Sequence, residues 1–436
     1  MSAPRSHYMR EIFVSHLQDA SYLPQTTSYV ALEEQARKKL TPEAYGYVAG
    51  SASSENTNKS NMDAMQDWQI VPRMLAGVDL DNFDMSTTLF GRKFATPFVI
   101  SPIGVQGQLH VDSDRATARA ACKVGVPFTL SSATSTPLEV VAQEGGFAKA
   151  REEAEGCDGE VSGAEPWFQL YWPSDDDITR SLLDRAKKSG YKVLVVTLDT
   201  WSLGWRPRDL DIAYNPFLKG NGLANLFCDP VFVEKYCEGK SPLRKDTTED
   251  DVFQAALACI SLLSPGNSRS WADLPLLREL WGASADGHKI VLKGIQSVTD
   301  AARAIEAGAD GIWVSNHGGR QVDGALGSLS ALAPIARYVR SSGCALTRGG
   351  ERPTLIFDSG VRTGADAMKA LCLGADAVGI GRPYAYALAL GGEQGVECLL
   401  KAMLADLELN TALAGCRGVK EMGSHLLVRR GEESKL

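Results

Sequence analysis

"TLIFDSGVRTGADAMKALCLGADAVGIGRP", residues 354–383, sets two apolar runs on either side of an amphipathic stretch. The runs are continuous rather than alternating, as in a strand covered on both faces. The stretch between them ends in Gly374-Ala375-Asp376 just ahead of the second run, as a glycine C-cap does. "SVTDAARAIEAGAD", residues 297–310, ends the same way before "GIWVSNH". Such a strand–helix–strand unit is one step of a parallel sheet, and the chain repeats it.

Eight apolar runs recur: Phe98–Gly104, Pro127–Ser132, Trp167–Trp172, Val193–Thr200, Ile290–Ile295, Gly311–His317, Thr354–Gly360 and Ala377–Pro383. Eight strands alternating with helices predict an α/β fold, a (β/α)8 TIM barrel. Residues 1–70 read as an N-terminal helical extension, with Thr41-Pro42-Glu43 as the cap and first turn of one helix. The barrel is expected over 71–425 and a tail over 426–436. Residues 147–165 are acidic and poor in core residues, and read as a solvated surface insertion. Residues 201–288 form a long loop after the fourth strand, expected on the active-site face of the barrel. The polar loop "SGCALTRGGERP", 342–353, precedes the seventh strand and belongs on the opposite face.

Composition narrows the function classes. Lys plus Arg number 45 and Asp plus Glu 53, a net charge of −8 without a long basic cluster, which argues against nucleic acid or anionic membrane. Nine cysteines lie scattered without a CxxC pair, so neither a disulfide framework nor a metal site is expected. No signal-peptide core and no run of eighteen apolar residues occurs, which predicts a soluble intracellular chain. Ser434-Lys435-Leu436 is the tripeptide that peroxisomal import receptors read, and predicts that address, with the cytoplasm as the alternative.

The ends of the strands carry the chemistry. They present Gly104, Ser131, Gln169 with Tyr171, Thr197 with Asp199, Lys293, His317 with Arg320, Asp358 with Arg362, and Gly381 with Arg382. One such group is explained by packing; for His317 alone, tying down a loop competes with acting as a base. Ionisable groups on nearly every strand end say enzyme, because burying them without purpose costs several kcal/mol. The last two units fit a phosphate: Ser359, Gly360, Gly364 and Gly381 offer backbone N–H groups, and Arg362 and Arg382 add charge. Whether that phosphate belongs to a substrate or a cofactor stays open on these residues.

"SNHGGRQVDG" (315–324), "DSGVRTGADAMKALCLGADAVGIGRP" (358–383), "FQLYW" (168–172) and "TLDTWSLGWRPRDLD" (197–211) together resemble the FMN-dependent L-2-hydroxy acid oxidases, over about residues 30–425. Within that family, "LDTWSLGWRPRDLD" and "NPFLKGNGLANLFCDPVF" (215–232) are most similar to the lactate 2-monooxygenase branch. The resemblance implies FMN as cofactor, a small lactate-like 2-hydroxy acid and dioxygen as substrates, and a homotetramer or larger oligomer. It makes His317 the base and Asp199 its orienting partner. Arg206, Arg320 and Tyr47 would hold the substrate carboxylate, and Tyr171 would face the substrate oxygen. Lys293 would stand beside the flavin. Ser131, Gln169 and Thr197 would hydrogen-bond the ring, with Pro102, Ile103 and Gly104 packed against it. Asp358, Ser359, Gly360, Arg362, Gly381 and Arg382 would hold ribityl and phosphate. Ala133 stands where plant-type glycolate oxidases carry tryptophan, which implies a wider pocket. Ser359 replaces a glycine, a change expected to be harmless.

The branch resemblance also implies that the excursion is a lid, with Trp201 and Trp205 excluding water around Arg206. A retained keto acid would then be decarboxylated by peroxide; a released one makes the enzyme a simple oxidase. The rival readings are a flavin dehydrogenase feeding a haem or quinone, a non-redox isomerase or aldolase with Lys293 as a Schiff-base lysine, and a ligand-binding barrel without catalysis.

Overall fold

The computed structural model describes residues 4–19, 22–155, 164–282, 287–341, 343–347 and 350–432. Eight strands close a barrel: β1 Phe98–Ile100, β2 Phe128–Ser131, β3 Pro166–Tyr171, β4 Val193–Thr197, β5 Lys289–Ile295, β6 Gly311–Val314, β7 Thr354–Phe357 and β8 Ala377–Ile380. Each pairs in parallel with its sequence neighbour, and β8 pairs with β1 to complete the ring. All eight coincide with the expected runs; β5 ends with its run at Ile295, and the other seven end one to four residues sooner where a rim loop begins.

The continuous apolar pattern has its cause in two separate cores. Val99, Trp167, Val193, Val195, Val291, Trp313, Ile356 and Ala377 fill the barrel interior, while Phe98, Ile100, Leu194, Val196, Leu292 and Ile312 pack outward on the helices. Leu89, Phe90 and Phe94 join the interior cluster from a hairpin, Thr87–Leu89 against Arg92–Phe94. Phe90 meets Trp167 edge-on at 5.7 Å, and its N–H donates to Thr354 Oγ1 at 2.8 Å, so the hairpin plugs the end where the strands begin. A side chain at Gly91 would strike Glu351, which puts that part of the loop ahead of β7 on the same end, opposite the active-site rim as expected. Gly308 and Gly374 have φ of +83° and +109°, the left-handed turn expected where each helix stops.

The domain boundaries need correction. The extension is helical over His7–Gln18, Tyr29–Lys39, Pro42–Ala49 and Asn56–Gln66, and Thr41 caps its helix through Ala44 N–H. It is not a separate unit, because Trp68–Ile70 pairs antiparallel with Leu427–Arg429, inside the segment read as a tail. Ser434-Lys435-Leu436 lies outside the described residues. The acidic insertion is also more than a solvated loop. It starts as a helix, Phe147–Glu155, whose Phe147 is buried and stacks on Phe128 at 6.3 Å; residues 156–163 lie outside the description. Among the described residues, no helix is long and apolar enough to cross a membrane.

The plug carries a prediction. Phe90→Ala empties the barrel floor and lowers unfolding free energy by about 3–5 kcal/mol. Denaturant unfolding of the variant beside the parent measures it; a loss under about 1 kcal/mol would mean the hairpin is a surface feature.

Candidate active site

A cleft opens at the end of the barrel where the strands finish, and the expected residues converge on it. Tyr47, Pro102, Ile103, Gly104, Ala133, Tyr171, Arg206, Lys293, His317 and Arg320 line it, as do Asp358 through Arg362, Gly381 and Arg382. Asp199, Ser131, Gln169 and Thr197 stand one layer behind. Ser131 Oγ donates to Gln169 Oε1 at 3.0 Å, and Gln169 Nε2 donates to Thr197 Oγ1 at 2.9 Å. The three form a fixed polar row on β2, β3 and β4.

His317 sits just past β6 with φ of +59°, a left-handed turn uncommon outside glycine. The turn is held from both sides: the His317 N–H donates to Ser315 Oγ at 3.0 Å, and the Gly318 N–H donates to Ser359 Oγ at 3.0 Å. Its Nδ1 meets Asp199 Oδ1 at 2.9 Å and Thr200 Oγ1 at 3.1 Å. Burial opposes charge on Asp199, but His317, Lys293 and the Thr200 hydroxyl outweigh it and hold the carboxyl at about 2. An ionised Asp199 needs a donor, so Nδ1 carries the proton and Nε2 of the neutral ring is left as a base. Burial pushes the His317 pKa below its ordinary value, Asp199 pulls it up, and Lys293 and Arg206 push it down. The ring is therefore neutral at physiological pH, as a base must be before it acts. Tyr171 stacks over it at 6.4 Å, and burial raises the phenol further above its usual range.

Two guanidiniums share the cleft with that base. Arg320 anchors Nη1 on the Tyr47 and Gly50 carbonyls, both at 2.6 Å, and lies 5.1 Å over the Tyr47 ring. Arg206 donates to the Arg320 carbonyl at 3.3 Å and to Gln321 Oε1 at 3.1 Å, and is only 8% exposed. Burial, and then the neighbouring Arg206 charge, bring the Arg320 pKa down to about 9, and Asp209 offsets only part of this. The pair is arranged for an anion.

The floor suits a phosphorylated cofactor. Arg362 Nε is buried without a partner, although its guanidinium lies 4.8 Å over Tyr29. A Cβ built on Gly381 meets nothing within 4 Å, so the backbone there is open to the cleft. Lys293 donates to Ser315 Oγ at 3.1 Å and is 3.9 Å from Asp358 Oδ2, a buried positive charge in the same floor. These groups fit a flavin with its phosphate on β7 and β8.

Four expectations change. Gly364 is no phosphate ligand: its N–H donates to Asp406 Oδ2 at 2.6 Å, and a Cβ would meet Leu407 N at 2.2 Å, so it is a helix-packing glycine. Arg382 spends its guanidinium on the Val48, Gly318 and Gly50 carbonyls and on Ser51 Oγ, tying the extension to the His317 loop. Ser359 is not a neutral replacement: it adopts φ of +81°, strained for serine, while its hydroxyl links Asp358 to the His317 turn. Trp201 and Trp205 do not seal Arg206, being 45% and 70% exposed, and Trp201 lines a second cavity behind Asp199.

The sequence reading missed Thr200, Ser315 and Gln321, which fix the base and Arg206. Their signal was adjacency, each within one or two residues of a recognised group. It also missed the apolar wall of Leu203, Phe217, Leu223, Ile260 and Leu263, which the excursion supplies to the cleft.

A barrel with a neutral base, a buried carboxylate partner and paired arginines over a phosphate floor defines a flavin-dependent hydroxy-acid-oxidising class of enzyme. Comparison with known proteins agrees. The FMN-dependent dehydrogenase family model matches residues 36–429. An FMN-dependent alpha-hydroxy acid dehydrogenase of Penicillium citrinum is 43% identical over 91% of this chain and 89% of its own. An L-lactate oxidase of Lysinibacillus sphaericus is 36% identical over 92% of each chain. The crystal structure of a lactate oxidase of Pediococcus acidilactici superposes with a TM-score of 0.72 at 30% identity, covering 93% of this chain and 95% of that one. The chain belongs to the FMN-dependent dehydrogenase family and is an FMN-dependent 2-hydroxy acid oxidase or dehydrogenase.

The titration of His317 is testable. kcat/KM rises with pH as the ring loses its proton, with a midpoint below about 6.5, the ordinary histidine value. Asp199→Asn removes the charge that raises this pKa, so the midpoint moves lower still. The variant also loses the stabilised imidazolium, and kcat falls about 10²-fold or more. A midpoint that moves upward would break the assigned pairing.

Proposed function

We propose that the chain oxidises the hydroxy-carboxylate end of an L-2-hydroxy acid with dioxygen as electron acceptor, giving the 2-keto acid and hydrogen peroxide. The observation that carries this reading is the Arg206–Arg320 pair beside a neutral His317. Two buried guanidiniums crowd each other, and a substrate carboxylate is the charge they lack. Held there, the acid presents its hydroxyl-bearing carbon to His317, with Tyr47 and Tyr171 in the same wall. His317 takes one proton, and Asp199 stabilises the imidazolium that forms. FMN, held by the residues of the cleft floor, would supply the redox chemistry, taking up the two electrons that leave the substrate. Dioxygen then takes up two electrons and two protons, so the cycle closes without another acceptor.

A second reading, decarboxylation of a retained keto acid, is favoured by the apolar wall that the excursion places over the cleft. One experiment separates the outcomes. The purified yellow protein is bleached by L-lactate without oxygen and recovers in air. With carbon-13 lactate and catalase present, NMR shows labelled pyruvate for the oxidase and labelled acetate for the monooxygenase. A spectrum that no 2-hydroxy acid bleaches overturns both.

A peroxisomal address is part of the proposal, supported by Ser434-Lys435-Leu436 and by the peroxide product. Deleting those three residues is expected to move a fluorescent fusion with a free C-terminus from puncta to cytosol, with specific activity unchanged. Puncta that persist would remove the tripeptide as the signal.

A further inference from the structure

The polar end of the cleft accounts for the carboxylate and hydroxyl common to every 2-hydroxy acid, and leaves the rest of the substrate unassigned. What faces that remainder is apolar. Ala133 forms the wall at the end of β2, and the excursion adds Leu203, Phe217, Leu223, Ile260 and Leu263. The tightness around Ala133 is structural: a Cβ on Gly104 would lie 2.8 Å from the Ala133 Cβ. The helix Glu249–Leu263 brings Ile260 and Leu263 to the wall.

That helix is apolar on two faces. One face, Val252, Ala255, Ala256, Cys259 and Leu262, packs on the protein body. A second face runs through Phe253, Leu257 and Ile260, at spacings of four and three residues that stack side chains in one line. Ile260 stands in the wall of the cleft, whereas Leu257 is 40% and Phe253 39% exposed. The stripe starts at the active site and leads out of it for about 10 Å, at 1.5 Å per residue. Leu203, 44% exposed and also lining the cleft, faces the opening from the other segment of the excursion. A substrate as short as lactate would leave this whole track in contact with water.

We propose that the preferred substrates are L-2-hydroxy acids with an extended apolar side chain, which runs from His317 past Leu263 and Ile260 and out along Leu257 and Phe253. The proposal rests on the function proposed above and adds the substrate class. Its physical basis is burial: each methylene moved from water onto an apolar surface favours binding about four-fold. Lactate satisfies the arginines but gains nothing from the track.

The test uses the FMN-loaded enzyme with lactate, 2-hydroxybutyrate, 2-hydroxyhexanoate and 2-hydroxyoctanoate. kcat/KM is expected to climb about four-fold per methylene over the first additions. Calorimetric Kd values of the matching 2-keto acids, measured without turnover, are expected to fall in parallel. Leu257→Glu puts a charge on the exposed part of the track, away from the groups that hold the carboxylate. It should cut kcat/KM for 2-hydroxyoctanoate about ten-fold and leave lactate within about two-fold, a selectivity that general damage to the fold does not produce. A profile that peaks at lactate overturns the inference and leaves the function reading standing. So does a Leu257→Glu variant that alters the oligomeric state and treats all chain lengths alike, which would make the stripe a contact between copies. If no acid of any length bleaches the flavin, the function reading fails first and the inference with it.

Discussion

One hydrogen bond, His317 Nδ1 to Asp199 Oδ1 at 2.9 Å, joins residues 118 positions apart and organises the site around it. It exists because the barrel brings the ends of β4 and β6 to one rim, with β5 between them. It fixes the tautomer of the ring and leaves Nε2 as the nitrogen free to accept a proton. The neighbouring contacts maintain it: Thr200 bonds both partners, Gln321 Nε2 holds the Asp199 carbonyl at 2.7 Å, and Ser315 holds the His317 N–H. Gly294, at φ of +102°, lies so close that any side chain would sit 3.0 Å from the Asp199 carboxylate.

The electrostatics follow from burying more positive than negative charge in one cleft. Lys293, Arg206, Arg320 and Arg382 surround the neutral His317 ring, with the Asp199, Asp209 and Asp358 carboxylates set against them. Such a site is stable because backbone carbonyls absorb much of the donor capacity, as with Arg320 on Tyr47 and Gly50 and Arg382 on Val48 and Gly318. The arrangement suits an anion, and burial, helped by the Lys293 and Arg206 charges, keeps the imidazole unprotonated.

Much of this was legible in the sequence because parallel strands are buried on both faces, and their ends are where polar residues interrupt an apolar run. "GIWVSNH" shows both, strand and base together. What was not legible depends on contacts between distant segments. Nothing in "TTLFGRKF" says that Phe90 will close the barrel floor against Trp167. Phe147 opens a polar stretch, and its burial becomes clear only from its place in the core, where it stacks on Phe128. The apolar wall of the cleft resembles any helix core until the body of the protein claims one face and leaves another. Ser359 was misjudged because its backbone angle, rather than its N–H, is the unusual property.

Residues 5–70 are fastened to residues 395–429. Arg5 N–H and Ser6 N–H donate to the Glu408 carboxylate, Gln25 Nε2 donates to the Gly395 carbonyl, and Trp68–Ile70 pairs with Leu427–Arg429. Translation makes this segment more than 350 residues ahead of these partners, so it waits for them. Tyr47 belongs to that segment, and its carbonyl is where Arg320 anchors. The catalytic cleft is thus completed by a late event in the life of the chain. The Arg320 anchor therefore rests on segments that are far apart in time of synthesis as well as in sequence.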